Sequence, residues 1–136
     1  MTSLRYPVGQ FEHEGPISDE TLRGWIAEIA ALPAQMREAV AGLDDRQLNT
    51  RYRPEGWTLR QVVHHVPDSH LNAYVRFKWT LTEDEPTIKA YDEAAWATLP
   101  DSALPIEPSL AHLETLHARW VALMKAMDEA QWERRF

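Results

Sequence analysis

The feature that most constrains the fold is a run of apolar residues at helical spacing between Leu59 and Thr82. Such spacing places one stripe of side chains on one face of an α-helix. Thr58 precedes the run, and its hydroxyl can accept a hydrogen bond from the first helical turn. The segment is therefore predicted to be an amphipathic helix, and the stripe that it buries is formed by Leu59, Val62, Val63, Val66, His70, Ala73, Tyr74, Phe77 and Leu81.

Two further segments show the same periodicity. Ser18 can cap a first helix, with Asp19 and Glu20 at its positive end, and Pro33 is expected to kink or restart it. Ser109 is expected to cap a third long helix. The apolar faces are formed by Leu22, Trp25, Ile26, Ile29, Met36, Val40 and Leu43 in the first helix, and by Leu110, Leu113, Leu116, Trp120, Leu123, Met124 and Met127 in the third.

A long crossover joins the second and third helices at residues 83–108, where prolines recur and only residues 92–99 look helical. Ordered loops of this length often carry function. No segment alternates apolar and polar residues for long enough to indicate a strand. We therefore predict a single all-α domain over residues 1–136, in which three long helices form most of a four-helix bundle.

The composition argues against several classes of function. The chain of 136 residues has a net charge of -7 and no basic run, so nucleic-acid binding is not expected. Without cysteine it has no disulfide, no thiolate zinc site and no cysteine nucleophile. No apolar run is long enough to cross a membrane and the N-terminus does not read as a secretory signal, so a cytoplasmic protein is expected.

The second helix carries three histidines, and a helical wheel gives each a different environment. His70 lies in the apolar stripe, which indicates a neutral core histidine with one hydrogen-bond partner. His64 points away from the stripe and is expected to pair with Asp68, one turn later. His65 heads a polar row at the edge of the stripe, and such a row must face a cavity, a partner or a ligand.

Asn72 and Arg76 continue this row and are candidate substrate-binding residues. The planar guanidinium of Arg76 suits a substrate carboxylate, and the alternative is a salt bridge to the crossover, for instance to Asp92 or Glu93. Pro67 either disturbs the helix locally or opens it beside a site. The helix alone does not make a metal site, because no third ligand follows at helical spacing.

The chain resembles the DinB-like superfamily, and more closely its YfiT branch, which includes bacillithiol transferases. The resemblance rests on YPVGQF at 6–11, YRPEGWTLRQVVHH at 52–65, the long segment 68–102 and SLAHLETLHARWVALM at 109–124. It implies a four-helix bundle in which three histidines hold a divalent metal, zinc or nickel. It also implies a metal-dependent hydrolase, or an S-transferase that uses a low-molecular-weight thiol, acting on a small-molecule substrate.

The resemblance assigns one metal ligand to His65, where the family has a histidine before an aliphatic residue. The other two ligands belong to a His-x-x-x-His pair on the family's fourth helix, which has no counterpart in this sequence. His112 and His117 have the wrong spacing to replace that pair. The domain is therefore expected to be C-terminally incomplete relative to the family, and any thiol must come from a cosubstrate.

This gap leaves a second interpretation open. The chain can be a non-catalytic helical module or fragment in which the metal is absent. Its apolar stripes would then be exposed on the side that a fourth helix covers in the family. Such a surface favours oligomerisation, and a homodimer is the expected form.

Overall fold

The computed structural model describes residues 3–136, and its regular structure is helical, as predicted. The helices are α1 (Asp19–Val40), α2 (Asp45–Leu48), α3 (Leu59–Thr82), α4 (Glu93–Trp96), a 3-10 turn (Pro100–Ala103), α5 (Glu107–Ala126) and α6 (Glu129–Trp132). Extended pairing within residues 3–136 is limited to one bridge between Arg51 and Thr58. No helix in this part of the chain is long and apolar enough to cross a membrane.

Helix α3 begins and ends where the sequence predicted. The Thr58 hydroxyl accepts a hydrogen bond from the backbone N–H of Gln61 at 3.1 Å, and the Gln61 side chain accepts one from the N–H of Thr58 at 2.9 Å. This reciprocal pair satisfies two N–H groups that the first turn leaves open. Pro67 lies buried inside the helix, which nevertheless continues to Thr82.

The predicted start of the first helix is confirmed, whereas that of the third is wrong. The Ser18 hydroxyl caps α1 and accepts from the backbone N–H of Thr21 at 3.1 Å. Helix α5 begins at Glu107, ahead of the predicted cap Ser109. Pro108 stands in its first turn, where a missing N–H costs nothing because that group has no helical partner.

Helix α5 lies at the centre of the fold and packs against both α1 and α3. Leu113 and His117 on this helix are almost completely enclosed. The two outer long helices are therefore joined chiefly through α5. The buried core between the three long helices consists of Ile26, Tyr74, Leu116, Trp120, Val121 and Met124.

A chain of hydrogen bonds crosses this core and ties the three long helices together. Pro33 has no N–H, so the carbonyl of Ile29 one turn earlier lacks its helical partner. Nδ1–H of His117 on α5 donates to that carbonyl at 2.6 Å. Nε2 of His117 is then an acceptor, and it lies 2.7 Å from Nδ1 of His70 on α3. His70 must therefore carry its proton on Nδ1.

Arg60 fastens the crossover to the beginning of α3. Its buried guanidinium donates to the carboxylate of Asp45 at 2.7 Å and to the side-chain oxygen of Asn49 at 3.0 Å. A third hydrogen bond, at 3.0 Å, reaches the carbonyl of Leu104 at the end of the crossover. One buried cation thus joins α2, α3 and the segment that leads into α5.

Replacing Arg60 with methionine is expected to lower the free energy of unfolding by about 1.5 kcal/mol. Methionine keeps part of the apolar stem, but it removes the donor to the side chain of Asn49 and one of the two donors to the carbonyl of Leu104, which keeps its hydrogen bond from His64. Urea denaturation measures the effect against Arg46→Met, which changes an exposed arginine on α2. Equal stability of the two variants would contradict the role of Arg60.

Candidate metal and substrate site

His64 is buried, and the prediction that it points outward to pair with Asp68 is wrong. Its Nε2 lies 2.8 Å from the carbonyl of Leu104 and its Nδ1 lies 2.6 Å from the hydroxyl of Ser109. Because a carbonyl can only accept, His64 donates through Nε2–H and accepts through Nδ1. The 3-10 turn packs against α3 and the chain then returns over this face, which the wheel of an isolated helix cannot anticipate.

His70 is the neutral core histidine that the wheel predicted. It is half-buried, and within the described part of the chain its one hydrogen bond is the bond to His117. Burial, with smaller contributions from His117 and His65, lowers the pKa of His70 to about 4. Burial also lowers the pKa of His117, although the hydrogen bond to the Ile29 carbonyl opposes the change. Both rings are therefore neutral at physiological pH.

His65 differs from its two neighbours on α3, because neither of its ring nitrogens has a hydrogen-bond partner within residues 3–136. Its ring is half-buried and meets the ring of Trp57 edge to face, with centroids 4.8 Å apart and planes at 63°. Trp57 comes from the loop just before α3 and limits the orientations of this ring. An imidazole in such a position has a nitrogen available for a metal or a ligand.

Asp68 lies half-buried one turn beyond His65. Burial and the nearby Asp101 raise the pKa of its carboxyl group, whereas His65, His112 and His64 lower it by smaller amounts. The carboxylate is therefore in a partly desolvated place among imidazoles. Such a group can orient a histidine or accept a hydrogen bond from a protic ligand.

The two predicted substrate-binding residues follow along α3 and are held in different ways. Nδ2 of Asn72 donates back to the carbonyl of Asp68 at 2.8 Å. Nη2 of Arg76 donates to the carbonyl of Lys89 in the crossover at 3.0 Å. None of the ion pairs within residues 3–136 includes Arg76, so the salt bridge considered from the sequence is not formed. Its guanidinium keeps further N–H groups for other acceptors.

The crossover also brings Tyr91 to this row, and the sequence did not single it out. Its ring packs against that of Trp96 with centroids 4.6 Å apart. Its nearest polar neighbours include Ser69 and Arg76 on α3. No local pattern marks Tyr91, because its position beside α3 depends on the path of an irregular segment.

Within residues 3–136 no group of three or more His, Cys, Asp or Glu side chains comes together in a way that could hold a metal ion. Of the buried and half-buried histidines in residues 3–136, only His65 has both ring nitrogens free of protein hydrogen bonds, as a metal ligand requires. His117 uses both of its nitrogens in the core, and His112 is exposed on α5. Residues 3–136 therefore supply one candidate metal ligand, His65, and not the three or more protein ligands that a zinc site uses.

The fold and the site define a class of protein: a helical bundle with an unpaired, half-buried histidine at the edge of its core. The model of the DinB superfamily matches residues 28–136, and the chain belongs to that family. The resemblance recognised in the sequence is thereby confirmed.

Similar proteins agree with this assignment. A Bacillus cereus (strain AH820) protein named "Putative metal-dependent hydrolase" is 53% identical over 136 residues, which are 100% of this chain and 79% of that protein. A Bacillus mycoides (strain KBAB4) protein with the same descriptive name is 52% identical over the same shares. The structure of YfiT from Bacillus subtilis, described as "a probable metal-dependent hydrolase with an unusual four-helix bundle topology", superposes with a TM-score of 0.93. It is 46% identical, and the match covers 96% of this chain and 75% of YfiT.

Proposed function

We propose that this protein is a metal-dependent hydrolase that acts on a small molecule. The observation that carries the proposal is His65, which is half-buried, lies against Trp57 and has no hydrogen-bond partner for either ring nitrogen within residues 3–136. The other buried or half-buried imidazoles use ring nitrogens in hydrogen bonds within the fold, and they belong to His64, His70 and His117. The names of relatives that share about half of the sequence support the same function.

We expect His65 to hold a divalent cation, zinc or nickel, together with ligands that residues 3–136 do not supply. The family resemblance suggests a His-x-x-x-His helix as their source. When bound, such a cation supplies a Lewis acid that lowers the pKa of a water or a thiol toward neutrality. The chain contains no cysteine, so thiol transfer, the finer alternative to hydrolysis, would use a thiol cosubstrate.

The residues around His65 would bind and orient the reactants. Trp57 holds the imidazole ring, and Asp68 offers a partly desolvated carboxylate one turn further along α3. Asn72 and Arg76 occupy the next two turns and are proposed to contact the substrate. The hydrogen bond from Arg76 to the crossover restrains its side chain and leaves other N–H groups for a substrate oxygen.

Metal binding tests this function directly. The purified wild-type chain should bind supplied zinc or nickel at least tenfold more tightly than His65→Ala, because the variant lacks the imidazole that we assign as a ligand. His13→Ala is the matched control, since it removes an exposed histidine that lies against Trp25 and outside the candidate site. Metal contents and affinities come from elemental analysis and competition with a chelating dye. Equal affinities of all three proteins would exclude His65 as a ligand.

A second candidate function is favoured by the exposed apolar side chains. Val8 is 97% exposed, Phe11 79% and Phe136 73%. A groove of about 1070 Å³ between α1, α5 and α6 is lined in part by Ile26, Met124 and Trp132. We propose that a chain that holds no metal acts as a non-catalytic module and covers these surfaces by forming a homodimer. Light scattering of the purified chain measures its oligomeric state, and a monomer at micromolar concentration would rule out the homodimer.

A further inference from the structure

A cavity of about 280 Å³ lies between α3 and the chain that follows α5. The ring of Trp132 on α6 meets that of Phe77 on α3 edge to face in its wall, with centroids 6.0 Å apart. The apolar part of the wall is formed by Ala73, Phe77, Leu81, Met127, Trp132 and Phe136. Pockets for drug-sized molecules begin at roughly 300 Å³, so this cavity suits a smaller molecule with an apolar body.

Two arginines complete the wall, Arg76 on α3 and Arg134 in the C-terminal segment. Arg134 donates from Nε to the carbonyl of Thr80 at 2.6 Å and from Nη2 to the carbonyl of Glu83 at 2.7 Å. These carbonyls belong to the last turn of α3, which has no helical donors for them, so the guanidinium is held across the end of the helix. The hydrogen bond to the carbonyl of Lys89 restrains Arg76. Both guanidinium groups keep further N–H groups that can donate.

The charges in this wall are not balanced by the protein. No Asp or Glu within residues 3–136 lines the cavity, and none of the ion pairs in that part of the chain includes Arg76 or Arg134. This arrangement is unusual for a chain with a net charge of -7. A more open cavity of about 530 Å³ adjoins the first at Arg76, but Glu85 lines it and would repel an anion. The smaller cavity is therefore the place where both guanidinium groups attract an anion.

We propose that this cavity is a binding site for a small carboxylate with an aromatic or other apolar body. The planar guanidinium groups of Arg76 and Arg134 match the geometry of a carboxylate, and Phe77 and Trp132 would cover its apolar part. The inference goes beyond the proposed function. Arg76 lies eleven residues after His65, which is roughly 16 Å along α3, so a small acid held in the cavity does not reach the metal site. Arg76 lies where the two sites meet.

Binding of 4-iodobenzoate and of its neutral analogue 4-iodobenzamide tests the proposal in the metal-free chain. An iodine atom beside Trp132 quenches the fluorescence of that residue, so a titration measures occupation of the cavity. The wild type should bind the carboxylate about tenfold more tightly than the amide, because hydrogen bonds between charged groups are stronger than neutral ones. Trp132→Phe should lose most of the quenching, because the other tryptophans do not line this cavity.

Substitution of the arginines tests their part in binding. Arg134→Met should weaken 4-iodobenzoate about fivefold and leave the affinity for 4-iodobenzamide nearly unchanged, because it removes the charge and keeps much of the apolar stem. Arg76→Met should have the same effect. Arg135→Met is the matched control, since it changes a neighbouring exposed arginine that does not line the cavity. An equal loss for both probes in Arg134→Met would mean that this arginine only holds the C-terminal segment in place, and it would overturn the proposal.

The remaining outcomes separate this site from the metal site. His65→Ala should bind 4-iodobenzoate as tightly as the wild type, and a loss of binding there would place the probe at the metal site instead. Equal affinities of the wild type for the two probes, no quenching by either, or undiminished quenching in Trp132→Phe would each overturn the proposal as well. None of these titrations involves a metal, so failure of this inference is distinguishable from failure of His65 as a metal ligand.

Discussion

Replacing His117 with leucine is expected to lower the free energy of unfolding by about 3 kcal/mol, although leucine is similar in size and more apolar. His117 is 2% exposed, and both of its ring nitrogens are used. Leucine leaves the carbonyl of Ile29 without a donor, and Nδ1–H of His70 without an acceptor. Each buried group left unsatisfied costs roughly 1–3 kcal/mol. Urea denaturation of the two proteins measures the difference.

A second substitution tests the origin of this cost. Pro33→Ala restores an N–H that can reach the carbonyl of Ile29 along α1, so the carbonyl no longer depends on His117. His117→Leu should therefore cost about 1 kcal/mol less in the Pro33→Ala background than in the wild type. His112→Leu, on the exposed side of α5, should leave stability unchanged. Identical costs of His117→Leu in both backgrounds would show that the carbonyl of Ile29 is not the group that matters.

The sequence predicts the long helices well because their signals are local. The bounds of α3 follow from the cap at Thr58 and from a periodicity that lasts to Leu81. The cap at Ser18 has the same kind of support, since the residues that form it lie within one turn. The family resemblance then supplies the bundle, and the similarity to YfiT confirms it.

The errors arise where a distant segment decides the environment. His64 looks exposed on an isolated helix, but the chain near Leu104 returns over it and buries the ring. Ser109 looks like a helix cap, yet its hydroxyl bonds to His64 and α5 starts two residues earlier. Both errors have one cause, because the path of a crossover that contains four prolines cannot be predicted from periodicity.

The residues of the candidate site also differ in whether local or distant signals determine their positions. His65 was singled out by its place on the edge of the stripe, and that place depends only on helix geometry. Tyr91 was missed because it reaches α3 through the crossover. The hydrogen bond from Arg76 to the carbonyl of Lys89 could not be predicted from the sequence either, because it also depends on the path of the crossover. The sequence suggests an ion pair to the crossover as the alternative to substrate binding. Whether His65, Asn72 and Arg76 act as proposed stays a prediction for the binding experiments.

Acidification from pH 6.5 to pH 4 is expected to destabilise the fold by roughly 2 kcal/mol through His70. Burial lowers the pKa of His70 from 6.5 to about 4 in the folded protein. Above pH 6.5 the ring is neutral in the folded and the unfolded chain, and it contributes no pH dependence. Below pH 6.5 the unfolded chain binds a proton that the folded chain excludes until about pH 4, so stability falls across this window. A fully buried ring would contribute about 3.4 kcal/mol, and partial exposure reduces the figure through solvent screening.

Other groups act in the same window, so the test compares variants rather than absolute stabilities. His117 adds to the loss, because burial lowers its pKa as well. Asp68 opposes it, because burial raises the pKa of its carboxyl group and the folded protein then takes up a proton first. His70→Gln keeps a donor for His117 but cannot titrate, so its unfolding free energy should change less between pH 6.5 and pH 4 than that of the wild type. His13→Gln, an exposed control outside the site, should keep the wild-type dependence. If the unfolding free energy of His70→Gln changed with pH as much as that of the wild type, the acid sensitivity of this fold would not come from His70.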